Sequence, residues 1–170
     1  MMIQRRFTIR RVLLPLGFLL VASFATAAEN QKGNSTSACS QANPESLCNA
    51  DNTCGTASAP CNVYVKRTTY SSSVTPDIPN AKGNDVFCVK TGTTVRWQST
   101  AKNTGFLIDL GESSPFEPPG IIAGGSEKSV PVVAKTPGCF KYNFSASNSN
   151  AINGMSKAAQ AELIVVGKHQ

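Results

Sequence analysis

The chain has 170 residues and a formal net charge of +6. Four of its 16 basic residues, Arg5, Arg6, Arg10 and Arg11, lie in an N-terminal leader; without them twelve Lys and Arg face ten Asp and Glu, a net of +2. So even a balance excludes the basic footprint expected of a protein that works on nucleic acid or on an anionic membrane surface.

Residues 1–27 read as a cleaved bacterial signal peptide. The four arginines form its basic region, Val12 to Phe24 its apolar run, and Ala25-Thr26-Ala27 the small-residue cleavage pattern, which places the cut after Ala27 or Ala28. The apolar run is shorter than the roughly 20 residues that span a bilayer, so no stable membrane anchor is expected after cleavage. The first cysteine is Cys39, too far on for a lipoprotein. The paired arginines invite a twin-arginine export reading, but their neighbours fit it poorly. A periplasmic or secreted destination follows.

Residues 28–61 are rich in Ser, Asn and Thr, with Leu47 the only large aliphatic side chain. Such a segment buries too little apolar surface to offset its ordering entropy. It also holds Cys39, Cys48, Cys54 and Cys61, with Cys88 and Cys139 further on. An even count behind an export signal reads as disulfides. A zinc cluster would bring ligands closer together in sequence, and there is no CxxC pair. The four N-terminal cysteines are expected to pair among themselves, in an order left open, stapling the segment locally or onto the domain.

Residues 62–167 read as β-structure. Val63 and Val65 alternate with Tyr64 and Lys66, Phe87 and Val89 with Cys88 and Lys90, and Val95 and Trp97 with Arg96 and Gln98. Phe106, Ile108 and Leu110 share a face, as do Val130 and Val132, and then Phe140, Tyr142 and Phe144; Glu162 to Val166 is almost wholly apolar. Period-2 runs between Gly, Pro, Asn and Ser clusters signal one two-sheet sandwich. Only Met155 to Ala161 offers a helical turn, and 168–170 form a short tail. The loop from Leu110 to Ile122 places Phe116, Ile121 and Ile122 among prolines, either to cover an end of the core or to form an apolar recognition surface.

Alternation also sets the direction of two cysteines. With Phe87 and Val89 inward, Cys88 points outward; with Phe140, Tyr142 and Phe144 inward, so does Cys139. If their strands are neighbours, the two thiols can bridge, and a Cys88–Cys139 disulfide is the expectation. Pairing of either with an N-terminal cysteine is the alternative.

Val89-Lys90-Thr91-Gly92-Thr93-Thr94-Val95-Arg96-Trp97 resembles the early strand pair of cupredoxins, the plastocyanin-like blue copper proteins. Gly124 to Val130, Pro137-Gly138-Cys139-Phe140-Lys141-Tyr142 and Glu162 to Val166 resemble the later strands, in the same order. The resemblance implies an all-β, cupredoxin-like Greek-key β-sandwich. It also implies where copper ligands should fall, and there the chain departs. The first histidine position falls at Phe106 and the cysteine position at Phe144. No histidine follows among Ser145 to Asn150, and only Met155 lies near the axial position. A blue-copper site needs two imidazoles and a thiolate, usually with a weak thioether, so a metal-free domain with no cofactor is expected. Met155 and His169, the sole histidine, matter only if the chain is instead a copper-binding or electron-transfer protein with atypical ligands.

Catalysis finds little support. No Ser/His/Asp or Cys/His set can be assembled around one tail histidine. Asp109, Glu112 and Glu117 are acidic residues near one loop, more simply read as solvated than as an acid–base pair. The expectation is an exported binding or structural protein rather than an enzyme, its partner an envelope or extracellular protein, a polymer or a small ligand.

Overall fold

The computed structural model describes residues 36–67, 71–125, 130–148 and 159–167. Among these residues ten strands run in chain order as β1 (Cys61–Arg67), β2 (Ser72–Pro76), β3 (Phe87–Lys90), β4 (Thr94–Ser99), β5 (Thr104–Asp109), β6 (Phe116–Glu117), β7 (Ile122–Gly125), β8 (Val130–Ala134), β9 (Gly138–Asn148) and β10 (Ala159–Val166). They form two five-stranded sheets, sheet I in the order β2-β1-β4-β8-β6 and sheet II in the order β3-β10-β9-β5-β7. From β2 to β9 the chain crosses between the sheets at every step. These crossovers permit the parallel pairs β1–β4 and β3–β10, which no tight hairpin can join.

The predicted alternation sets the packing. Val63 and Val65 of β1, Val95 and Trp97 of β4, Phe87 and Val89 of β3, Phe106 and Ile108 of β5, Tyr142 and Phe144 of β9 and Leu163 and Val165 of β10 are buried in one core between the sheets. Trp97 stands at its centre. Its ring meets Phe87, Phe116 and Tyr142 edge-on, at centroid separations of 6.5, 6.4 and 5.5 Å. Since Phe87 and Tyr142 belong to sheet II and Trp97 to sheet I, these contacts fasten one sheet to the other.

Two local readings need correction, and a third is decided between its alternatives. Ser72–Pro76 forms a strand that the sequence pattern did not announce, because Val74 is its only large aliphatic residue. Ala159 to Ala161 belong to β10 rather than to a helical turn; Met155 to Ala158 lie outside the described residues. The loop after Leu110 is largely structured: Phe116 enters β6 and packs on Trp97, and Ile122 opens β7. Of its large apolar side chains Phe116, Ile121 and Ile122, only Ile121 stays exposed, at 62%. The loop therefore mainly covers core.

The largest correction concerns the cysteines. The bridges are Cys39–Cys139, Cys48–Cys88 and Cys54–Cys61, and no cysteine is free. The expected Cys88–Cys139 bridge does not form, and of the four N-terminal cysteines only Cys54 and Cys61 pair with each other. Cys88 and Cys139 do point outward, as the alternation predicts, but their strands are not neighbours. Cys88 and Cys139 both lie opposite Ile164, on either side of β10. Two strand spacings of roughly 4.8 Å put them about 9.6 Å apart, beyond the Cα separation that a disulfide spans.

Residues 36–60 consequently form an arm laid on the outer face of sheet II. Ala38, Cys88 and Ile164 form a second buried cluster there, with Leu47, Cys48, Val86, Cys139 and Val166 packed around it. The arm also closes the edge of β3. Cys88 N–H donates to Asn52 O at 2.9 Å, and Cys54 N–H donates to Cys88 O at 2.8 Å, so Thr53 bridges Cys88 like a short parallel strand. At the β2 edge Asn84 takes the same part. Its side-chain oxygen accepts from Val74 N–H at 3.0 Å and its own N–H donates to Val74 O at 2.6 Å. Both devices occupy edge groups that would otherwise pair with another chain.

Candidate functional site

The positions where cupredoxin resemblance would put copper ligands lie side by side on β5 and β9. Phe106 faces Ala146 across the strand pair and Ile108 faces Phe144, so the two phenylalanines are diagonal neighbours on the inward face. Both rings are buried. Phe144 packs against Tyr142 with centroids 6.1 Å apart. Phe106 lies on the backbone of β7, where a Cβ added to Gly124 would come 2.5 Å from its Cζ. Glycine here makes room for an aromatic ring, and the ring fills the space with carbon. Neither residue offers a donor atom, so the chain's residues do not fit a type 1 copper ion at these positions.

Among the described residues the other potential ligands do not gather elsewhere. All six cysteines are in bridges, and among the described residues no group of three or more His, Cys, Asp or Glu side chains comes together. Met155 and His169 lie outside the described residues. The three loop acids are employed separately. Asp109 accepts from Gly111 N–H at 2.9 Å, Glu117 pairs with Lys135 at 3.3 Å on the surface, and Glu112 sits exposed in the single turn Gly111–Ser113.

Buried polar atoms mark the core instead. Trp97 Nε1, Tyr142 OH and Thr93 Oγ1 find no hydrogen-bond partner among the described residues. Burial pushes the Tyr142 phenol far above its ordinary value, because the phenolate would lose its hydration without compensation.

Two surface features escaped the sequence reading. The first is Glu162, whose side chain is only 13% exposed. Its carboxylate accepts from the Ser37 hydroxyl and, at 2.6 Å, from Ala38 N–H, with Lys141 Nζ at 3.8 Å. One carboxylate thus ties the start of the arm to β10. A lone acid opening the apolar run Leu163 to Val166 was the available signal. The second is a groove of about 600 Å³ between the arm and the end of sheet II, lined by Cys48, Ala50, Thr53, Ala57, Lys90 and Val166 among others. No local motif announces it, because its walls come from segments that only the bridges bring together.

No family model matches the chain, and no curated protein matches its sequence. Among solved structures it is similar to reduced rusticyanin, with 16% identity and a TM-score of 0.36 over 70% of this chain and 87% of that one. It is likewise similar to rusticyanin from Thiobacillus ferrooxidans, with 15% identity and a TM-score of 0.30 over 62% and 76% of the two chains. Copper nitrite reductase from Nitrosomonas europaea is similar at 21% identity and a TM-score of 0.32, over 64% of this chain and 41% of that one.

Proposed function

We propose that the chain is an exported binding or structural protein, non-catalytic, built on a cupredoxin-like sandwich that does without type 1 copper. One observation carries this reading: the Phe106 and Phe144 rings are buried core at the two ligand positions, Phe106 seated on a glycine. The chemistry of a blue-copper centre depends on imidazole nitrogen and thiolate sulfur held together, and aromatic carbon supplies neither. Three bridges fit an oxidising compartment, which supports a periplasmic or secreted location. The partner is an envelope or extracellular protein, a polymer or a small ligand, met by a rigid, covalently braced surface.

The test is copper itself. Protein beginning at residue 28 is incubated with Cu(II) or Cu(I), and visible absorption and bound metal are measured after desalting. The expected result is no blue charge-transfer band and far less than one copper per chain. An intense blue band or tight stoichiometric copper would sink the proposal and favour a copper protein using Met155, His169 or both.

A further inference from the structure

We propose that the Cys48–Cys88 bridge is a site of thiol–disulfide exchange, at which a small anionic thiol enters the adjoining groove and attacks the sulfur of Cys48. The six cysteines differ sharply in access. Cys54, Cys61 and Cys88 are buried, at 1%, 0% and 0% exposure. Cys39, Cys139 and Cys48 are partly exposed, but of these Cys48 is the one that lines the groove of about 600 Å³. That volume lies within the range of small-molecule sites. Which sulfur is attacked follows access. Cys88 sits beneath the arm in the apolar cluster with Ile164, so the nucleophile reaches Cys48 and Cys88 is the leaving group.

The groove also selects the thiol. Lys90 contributes an exposed cation to its wall, and among the described residues no Asp or Glu lines it. A thiol that carries carboxylates is drawn in, and the approaching thiolate is stabilised. The step balances without an oxidant or reductant. The incoming thiolate forms a new S–S bond to Cys48, the Cys48–Cys88 bond breaks, and Cys88 departs as a thiolate that takes up a proton from water. One disulfide is exchanged for another.

The fold confines the product. Freed Cys88 has Cys139 two strands away, across β10, while the bonded sulfurs of Cys54 and Cys61 belong to the core between the sheets. Its one accessible partner is Cys48 again, so the exchange is reversible and does not scramble the bridges. The arm stays in place meanwhile, held by Cys39–Cys139, by Glu162 and by the Asn52 and Cys54 backbone bonds to Cys88. This inference is independent of the copper reading.

The test uses the full oxidised protein in its folded state, exposed to glutathione, quenched with an alkylating agent under denaturing conditions, and mapped by peptide mass spectrometry. One glutathione on Cys48 with alkylated Cys88, and intact Cys54–Cys61, is the expected result. Lys90→Glu, a change at an exposed side chain, slows the reaction with glutathione several-fold and leaves that with neutral 2-mercaptoethanol unchanged. Glutathione appearing first on Cys39 or Cys139, all three bridges opening together, or no adduct would overturn the site. Equal glutathione rates in Lys90→Glu and the parent protein would overturn its preference for an anion.

Discussion

Tyr142 and Trp97 pack edge to face at 5.5 Å, and each buries a polar atom that no described residue satisfies. An unmade hydrogen bond in the core costs about 1–3 kcal/mol, so removing the hydroxyl should help. Tyr142→Phe is expected to raise stability by about 1 kcal/mol in urea denaturation near neutral pH. The same hydroxyl governs an alkaline effect. Burial holds the folded phenol protonated well above its ordinary pKa of 10.0. Above that pH the unfolded chain gives up a proton that the folded chain keeps, so stability falls by about 1.4 kcal/mol per pH unit; below it the group contributes no slope. Comparing the two proteins between pH 9 and 11 should show the Tyr142→Phe chain losing less; parallel curves would mean that Tyr142 reaches water. A second residue-scale test concerns the filled ligand position. Gly124→Ala sets a methyl 2.5 Å from the Phe106 ring, and such overpacking typically costs about 1–3 kcal/mol. A neutral result in thermal melts would show that Phe106 has room to move aside.

The arm is the element that behaves least as its composition suggests. Its polar, glycine-containing sequence has no core of its own, yet it closes one sheet edge and shelters Ile164. Glu162 is the noncovalent fastening at its start. Glu162→Gln keeps one acceptor oxygen but gives up the charge-assisted bonds to Ser37 and Ala38, and a loss of about 1–2 kcal/mol is expected. Hydrogen exchange should localise it: faster at the Ala38 amide, unchanged at Val63, Val65 and Leu163 in the main core. No change at Ala38 would mean that Glu162 does not fasten the start of the arm. This element also shows where the sequence ceased to be legible. Alternation told which way Cys88 and Cys139 point, since direction is a property of each strand. Their bridging depends on strand order, and nothing local to Phe87–Lys90 or Gly138–Asn148 reveals that β10 inserts between them. Phe106 and Phe144 were legible for the converse reason, because being inward-facing and aromatic is already written in their own strands. Glu162 and the groove wall needed the arm docked before either had meaning.

At the scale of the molecule, the three bridges differ in reach, with sequence separations of 7, 40 and 100 residues. Loop closure costs more as the loop lengthens, by about 0.6 kcal/mol per doubling, and non-local strand pairing is slow. Oxidative refolding is therefore expected to form Cys54–Cys61 first and Cys39–Cys139 last, as read by mass mapping of acid-trapped intermediates. Early capture of Cys39–Cys139 would show that the arm docks before the sheets are complete. Once made, that longest bridge sets how the chain carries mechanical load. Tension applied between residues 36 and 167 crosses from Cys39 directly to Cys139, so the covalent path through β1 to β8 is bypassed. The pull then acts on β10 where Cys139 faces Ile164, and moving that strand breaks its ladder with β3 as well as its ladder with β9. The longest bridge thus acts as a covalent shunt: load between these two points reaches sheet II directly and leaves the path through β1 to β8 slack.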